Sequence, residues 1–261
     1  MAEVMREQVV EVKHHCDHLV QVYREPVELA ESVAAFFGAG FDLGQPAVAV
    51  VTAAHWPVMA ERLEKRGWDV GKLEAEGALH VRDADETLAA LSDRRGPVLR
   101  KFNDVVGSLL DLAAGGGGRR VRAFGEMVDI LVRRGERIEA DTLERYWNEL
   151  GEKKDFTLLC GYKVDLFDLQ AQISLLPQVY RSHTHVLPAA DAERMELAVG
   201  RALADVLGAD DAQKVYAQAV RDKESAPASH LALLWISAHM PRTAEEVLAA
   251  ARLHFTEAAA A

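Results

Sequence analysis

Two patterns of hydrophobic residues alternate along the first two thirds of the chain. Short apolar runs, typical of strands buried in a parallel sheet, are separated by longer stretches with apolar residues at helical spacing. The run "HLVQVY" (18–23) is rich in β-branched and aromatic residues, and "PAVAVVT" (46–52) is almost wholly apolar. Further strands are predicted at "ALHVRDA", "VRAFGEM" and "FTLLCGY", which are residues 78–84, 121–127 and 156–162.

Helices are predicted between these strands. Pro26 begins a helix whose apolar stripe is Leu29, Val33, Phe36 and Phe37, because proline is tolerated in the first helical turn. The other predicted helices are one from Pro57 to Gly67, one over 86–91, a longer one from Pro97 that ends in the glycine tract 115–120, read as a flexible loop, and one that carries Leu143, Trp147 and Leu150. This alternation predicts an α/β fold with three layers, a mostly parallel sheet and helices on both faces.

The pattern changes after Pro188. No strand-like run follows, and alanine-rich, charged segments predict helices around 197–207, 213–221, 230–238 and 244–255. We therefore expect two domains, an α/β domain over 1–188 and an all-helical module over 189–261.

Composition narrows the function classes. Hydrophobic residues make up 49% of the 261 positions, which is enough to build a sizeable core. The net charge of -11 disfavours direct binding to nucleic acid or to anionic membranes. Because the chain has only two cysteines and no apolar N-terminal stretch, we expect a reduced, cytoplasmic protein.

Polar residues follow several of the predicted strands. Ligands in open parallel sheets bind beyond the carboxyl ends of the strands, so Tyr23, Thr52, His55, Glu126 and Tyr162 are candidates for ligand contact. Glu126 could act as a general base or accept hydrogen bonds from a polar ligand. The alternative is that Glu126 only caps the following helix and favours its dipole.

Common catalytic motifs are missing. The sequence contains no phosphate-binding loop of the G-x-x-x-x-G-K-[ST] type and no G-x-S-x-G nucleophile motif. An enzyme remains an alternative, with Glu126 as the base and His55 or His18 as its partner on a small organic or nucleotide substrate. No motif identifies a cofactor.

The stretch "HHCDH" (14–18) raises the question of a metal site. On a strand, His14, Cys16 and His18 share one side, but a strand easily supplies only two of the four ligands that zinc needs. The others would have to come from elsewhere, for instance from Cys160 or from the histidines of "HTH" (183–185). We therefore expect no native metal site, and these three residues are the candidates if one exists.

Several motifs together resemble a known family. These motifs are "HLVQVY", "AVVTAAHWPVMAERLEKRGWDV", "DADETL", "VRAFGEMVDILVRRG", "LERYWNEL", "FTLLCGY" and "HTHVLP". In this order, over about residues 12–188, they resemble the MEDS family, the methanogen/methylotroph DcmR sensory domain. The resemblance implies a RecA/KaiC-like fold without a functional Walker loop, used as a signal-input module that senses small hydrocarbon derivatives. One departure is Val22, where the family usually has an aromatic residue.

The family-like polar positions give the predicted ligand-binding set, to which Thr52 is added as a strand-end residue. The set is His18, Gln21, Tyr23, Thr52, His55, Arg122, Glu126, Glu144, Tyr162 and His183, with Cys160 as a further family-like position. Structural alternatives exist for these residues. The aromatic ones could be ordinary core residues, and Cys160 a small buried hydrophobe. Glu144 could form an exposed helix ion pair, and Arg122 a buried ion pair with Glu126.

The leading hypothesis is a cytoplasmic sensor. A small molecule would bind at the carboxyl edge of the sheet, and the C-terminal helices would relay the change to a regulatory protein partner. A scaffold is another alternative, in which helices within 197–255 bind another protein or a second copy of the chain. The apolar segment "LALLWISAHM" (231–240) could be such an interface or simply core.

Overall fold

The computed structural model describes residues 16–189, 191–220 and 226–258. The chain divides into two compact units, Met1–Lys163 and Val164–Ala261. The two-domain organisation with a boundary after residue 188 remains a prediction.

The first unit is built on a parallel sheet. Its strands are β1 (Cys16–Tyr23), β2 (Ala47–Val51), β3 (Leu79–Asp83), β4 (Ser92–Asp93), β5 (Gly96–Pro97), β6 (Val121–Gly125) and β7 (Phe156–Lys163). Within the sheet the order is β3-β2-β6-β7-β1, with every neighbouring pair parallel, whereas β4 and β5 form a separate antiparallel hairpin. All five predicted strands are confirmed. The hairpin was not predicted, because two-residue strands leave no periodic signal.

Helices connect these strands. They are α1 (Pro26–Asp42), α2 (Trp56–Lys65), α3 (Val70–Ala75), α4 (Ala84–Leu91), α5 (Leu99–Phe102), α6 (Ser108–Ala114), α7 (Met127–Arg133) and α8 (Arg137–Gly151). A π-helical segment, Asn103–Gly107, joins α5 to α6. The long predicted helix begins at Leu99 rather than at Pro97, because Pro97 belongs to the hairpin. In the glycine tract, Gly115–Gly117 form a 3₁₀ turn where a loop was predicted.

The sheet is covered on both faces. On one face α1 lies so close to β7 that a Cβ at Gly161 would come within 2.9 Å of Leu29 Cδ1. On the other face α8 contributes Trp147, whose ring meets that of Phe102 edge-on at 5.1 Å between centroids. The apolar stripe predicted for α1 is fully buried, as expected for a helix packed on a sheet.

The second unit is almost entirely helical in the part that the structure describes. Its elements are α9 (Leu169–Ser174), α10 (Leu176–Ser182), the two-residue strand β8 (His185–Val186), α11 (Ala192–Leu207), α12 (Ala209–Ala219), α13 (Ala228–His239) and α14 (Pro241–Glu257). Alanines on the buried stripes of α11 and α14 allow these helices to pack against each other. Leu231, Leu233 and Ile236 of the segment 231–240 are buried, so much of that segment belongs to the core.

Among the described residues, no helix combines the length and the apolarity that crossing a bilayer requires.

Candidate functional site

Strand β1 distributes its polar residues between the two faces of the sheet. Successive side chains of a strand point to opposite faces, so His18 faces α8 while Gln21 and Tyr23 face the side of α1. Gln21 Oε1 accepts a hydrogen bond of 3.0 Å from Ser32 Oγ of α1, and Gln21 Nε2 donates to Val22 O at 3.0 Å. Gln21 therefore makes its side-chain hydrogen bonds within the fold. Most of the other predicted residues lie in two separate clusters.

The first group is the carboxyl-edge cluster, which consists of Tyr23, Thr52, His55, Glu126 and Asp129. Glu126 Oε2 accepts hydrogen bonds from the backbone nitrogen of Thr52 at 2.7 Å and from Thr52 Oγ1 at 3.0 Å. Glu126 Oε1 contacts His55 Nδ1. These contacts form because β2 and β6 are parallel neighbours whose carboxyl ends meet at one edge. Glu126 thus binds the loop after β2 instead of only capping α7.

Tyr23 places a buried hydroxyl in this cluster. The residue is only 1% exposed, and its ring meets the His55 ring edge-on at 6.1 Å between centroids. No described residue forms a hydrogen bond with Tyr23 Oη. Burial, and after it the charges of Asp129 and Glu126, raise the pKa of Tyr23 above its ordinary value. The hydroxyl therefore keeps its proton and can donate a hydrogen bond to a ligand.

Asp129 completes the cluster and was not predicted. Its carboxylate is buried and accepts a hydrogen bond of 3.0 Å from the backbone nitrogen of Lys163. It also forms an ion pair with Arg133, whose Nε lies 2.9 Å away. Burial raises the pKa of Asp129, while the Lys163 N–H and Arg133 oppose this rise. Asp129 follows Glu126 by three residues into the first turn of α7, and this helical spacing was the signal available in the sequence.

The second group is the sheet-face cluster, which consists of His18, Glu144, Asn148, Cys160 and Tyr162. His18 Nε2 lies 3.3 Å from Cys160 Sγ and 3.3 Å from Glu144 Oε2, and His18 Nδ1 lies 2.9 Å from Asn148 Oδ1. The Tyr162 hydroxyl donates to Glu144 Oε1. Burial raises the pKa of Glu144, opposed by His18 and by the Tyr162 hydrogen bond.

The position of Glu144 differs from one of the structural alternatives considered for it. The exposed ion pair considered for it is wrong, because the side chain is buried between α8 and the sheet. Helical spacing alone did not distinguish the inner from the outer face at this position, since α8 carries charged residues on both sides of its apolar stripe.

The remaining predicted residues are not members of either cluster. Arg122 sits at the amino end of β6, where Nε donates to Gln45 Oε1 at 2.8 Å, and burial lowers the pKa of its guanidinium to about 10. Glu126 follows the opposite end of the same strand. His183 lies in the second unit and is buried, and its Nδ1 donates to Val179 O at 2.6 Å. His14 lies outside the described residues, and of Cys16 only the backbone is described.

An open groove of about 450 Å³ lies elsewhere in the first unit, between α4, the β4–β5 hairpin and the start of α8. Its lining is charged with both signs and includes an exposed ion pair of 2.7 Å between Arg134 and Asp85. None of the ten predicted ligand-binding residues lines this groove. The two clusters bring together most of the predicted ligand-binding residues at buried or half-buried positions, so these are the candidate sites.

Comparison with known proteins identifies one family. The family model of MEDS, the MEthanogen/methylotroph, DcmR Sensory domain, matches residues 17–184. This range contains all ten predicted ligand-binding residues. No curated protein matches the chain.

Proposed function

Because the chain belongs to the MEDS family of sensory domains, we propose that it is a cytoplasmic signal-input protein that binds a small organic molecule at the carboxyl-edge cluster. The observation that carries this proposal is the Tyr23 hydroxyl, which is buried without a hydrogen bond to any described residue. Leaving such a group unsatisfied costs roughly 1–3 kcal/mol. A ligand that accepts a hydrogen bond from Tyr23 Oη would recover this energy.

The charges of the cluster indicate the class of ligand. Glu126 and Asp129 are both buried beside Tyr23, so a carboxylate or phosphate ligand would meet like charge in a poorly solvated place. A neutral molecule with a hydroxyl or carbonyl oxygen avoids this repulsion and still accepts from Tyr23. The proposed ligand is therefore a neutral, oxygen-bearing hydrocarbon derivative such as a short alcohol or ketone.

Native mass spectrometry of the purified full chain, with a denatured aliquot alongside, tests the proposal directly. We expect added mass after incubation with acetone or propanol but not with acetate, because acetate is of similar size and carries the disfavoured charge. The added mass should disappear on denaturation. Retention of acetate in preference to the neutral molecules would contradict the proposed ligand class.

Tyr23→Phe should separate stability from binding. Removing an unsatisfied buried hydroxyl should leave the free energy of unfolding unchanged or raise it by about 1 kcal/mol. The same change should weaken binding of the alcohol or ketone at least 10-fold, about the value of one hydrogen bond. Urea denaturation and titration calorimetry measure the two quantities. Tyr146→Phe, which removes a half-buried hydroxyl from α8, is the matched control and should leave binding unchanged.

We also propose that the helices of the second unit relay ligand binding to a partner. A ligand can bias an output only if its affinity differs between two states of the protein. In the second unit, Leu197 of α11 and Leu253 of α14 are 64% and 57% exposed, which leaves apolar side chains available to a regulatory protein or a second copy of the chain. Hydrogen exchange of α11 and α14 with and without the bound alcohol tests the relay, and identical exchange would contradict it.

We also infer that the sheet is organised as in RecA/KaiC-like proteins, without a working Walker loop. The parallel sheet covered by helices on both faces supports this inference. After β2, where a phosphate loop would stand, Thr52 and His55 bind the carboxylate of Glu126 instead. Tight binding of ATP by the full chain would contradict the loss of the loop.

An enzyme remains the second candidate, because one predicted acid–base pair, Glu126 with His55, is in direct contact. His18 belongs to the other cluster. If the protein turns over the alcohol or ketone that it binds, Glu126→Gln should abolish turnover, whereas Glu61→Gln on the exposed face of α2 should not. Unchanged turnover in Glu126→Gln would rule out a catalytic role for this carboxylate.

A further inference from the structure

We propose that His18, Glu144 and Cys160 of the sheet-face cluster bind one divalent metal ion of the Zn²⁺ class. This site is distinct from the carboxyl-edge cluster, since it lies on the α8 face of the sheet and shares no residue with it. One donor atom from each of the three residues lies within 4.8 Å of the others, and all three residues are buried.

The spacing of the donor atoms fits a tetrahedral ion. With bond lengths of about 2.0–2.1 Å to nitrogen, about 2.1 Å to oxygen and about 2.3 Å to sulfur, tetrahedral zinc holds its nitrogen and oxygen ligands about 3.4 Å apart and its nitrogen and sulfur ligands about 3.6 Å apart. The observed distances are 3.3 Å from His18 Nε2 to Glu144 Oε2 and 3.3 Å from His18 Nε2 to Cys160 Sγ. Each of these two distances lies within a few tenths of an ångström of its tetrahedral value.

Neighbouring side chains orient two of the ligands. Asn148 Oδ1, an acceptor, lies 2.9 Å from His18 Nδ1. In a neutral ring that donates to Asn148, the proton is on Nδ1 and the lone pair of Nε2 points towards Cys160 and Glu144. The Tyr162 hydroxyl holds Glu144 Oε1, while Oε2 faces His18. Such outer hydrogen bonds accompany metal-binding histidines and carboxylates in most metalloproteins.

The ligands come from three rigid elements. In the register of β1 with β7, Val20 lies opposite Cys160, so His18 and Cys160 are diagonal neighbours on one face of the sheet. Glu144 and Asn148 are one turn apart on α8 and reach the same point from above. The fold therefore brings the donors together before any ion binds.

The donor set selects the kind of metal. One imidazole, one thiolate and one carboxylate are the ligands of Zn²⁺ and of similar transition metals, whereas Mg²⁺ and Ca²⁺ prefer oxygen alone. A tetrahedral ion also accepts a fourth ligand in addition to these three. The alternative is a metal-free core in which the Cys160 thiol donates a hydrogen bond to His18 Nε2.

Cobalt and zinc substitution of the full chain distinguishes these two states. The protein is stripped with a chelator and titrated with Co²⁺, and binding is followed by the near-ultraviolet band that thiolate-bound cobalt produces. Native mass spectrometry then counts bound Zn²⁺. We expect one ion per chain, a thiolate–cobalt band, and displacement of cobalt by zinc.

Variants assign the ligands. Cys160→Ser should abolish the thiolate–cobalt band, and Glu144→Gln should weaken Zn²⁺ binding at least 10-fold. Asn148→Ala, which changes only the orienting residue, should weaken binding by about 10-fold and keep the band. Circular dichroism checks that each variant folds, and if Cys160→Ser does not, Cys160→Ala replaces it.

The matched controls are Cys16→Ser, which removes the only other cysteine, and the double change His14→Gln/His15→Gln. Both controls should keep the band and the stoichiometry. Loss of the band in Cys16→Ser with its retention in Cys160→Ser would move the site to the N-terminal histidine stretch and overturn the proposal. Absence of a band and of bound zinc in the unmodified chain would establish the metal-free core. Neither result bears on alcohol or ketone binding at Tyr23.

Discussion

Replacing Trp147 with alanine should lower the free energy of unfolding by about 3–5 kcal/mol, the range measured for large aromatic residues in protein cores. Trp147 is only 1% exposed, and its ring contacts Phe102 at 5.1 Å and Phe156 at 6.0 Å between centroids. A Cβ at Gly125 would also lie 3.6 Å from Trp147 Cζ2, so the ring fills the space above the centre of the sheet. The neighbours cannot collapse into the cavity, because they belong to three different elements.

Urea denaturation followed by circular dichroism measures this loss. Ile138→Ala is the control on the same helix, since Ile138 is 79% exposed, and it should change the stability by no more than about 0.5 kcal/mol. Equal effects of the two changes would mean that α8 does not pack on the sheet as described.

The second unit should lose stability when the pH falls from about 7 to about 5, by about 2 kcal/mol through His230 alone. Burial lowers the pKa of His230 from 6.5 to about 4, and Asp191 only partly opposes this shift. In the unfolded chain the His230 imidazole binds a proton near pH 6.5, whereas in the folded protein it stays uncharged until the pH falls to about 4. The stabilisation is therefore complete above pH 6.5 and is lost as the pH falls towards 4.

The hydrogen-bonding partner of His230 helps to design the test. Tyr180 Oη lies 2.7 Å from His230 Nδ1 in the interior of the second unit. Replacing both partners, as Tyr180→Phe with His230→Leu, removes the titrating group without leaving a polar atom in an apolar site. Urea denaturation at pH 7 and pH 5 should show a smaller pH effect in this double variant. His239→Gln, at an exposed position of α13, should retain the full effect, and an equally large effect in the double variant would contradict the assignment.

Part of the candidate site followed from local pattern. Thr52, His55 and Glu126 were predicted from their positions after apolar strands, because a buried strand is recognisable from its run of apolar residues and its end marks the edge of a parallel sheet. Asp129 was missed although it follows Glu126 at helical spacing. The sequence shows which residues share a helix face, but not whether that face points towards a ligand or towards solvent.

The sheet-face cluster shows that a local pattern does not predict contacts between residues far apart in the sequence. His18 and Cys160 are 142 positions apart, and they meet only because β7 lies between β6 and β1. An exposed ion pair was considered for Glu144, because the amphipathic pattern of α8 does not specify which edge of its buried stripe reaches the sheet.

The sequence by itself determined the five strands of the main sheet and most helices of the first unit, the helical character of the second, and the end-of-strand positions. It did so because hydrophobic periods of two and 3.6 residues are local properties of the chain. Only the tertiary structure decided which strands are neighbours, which polar residues share a face, and that Arg122 and Glu126 lie at opposite ends of β6. Those outcomes depend on contacts between distant segments, and no local period records them.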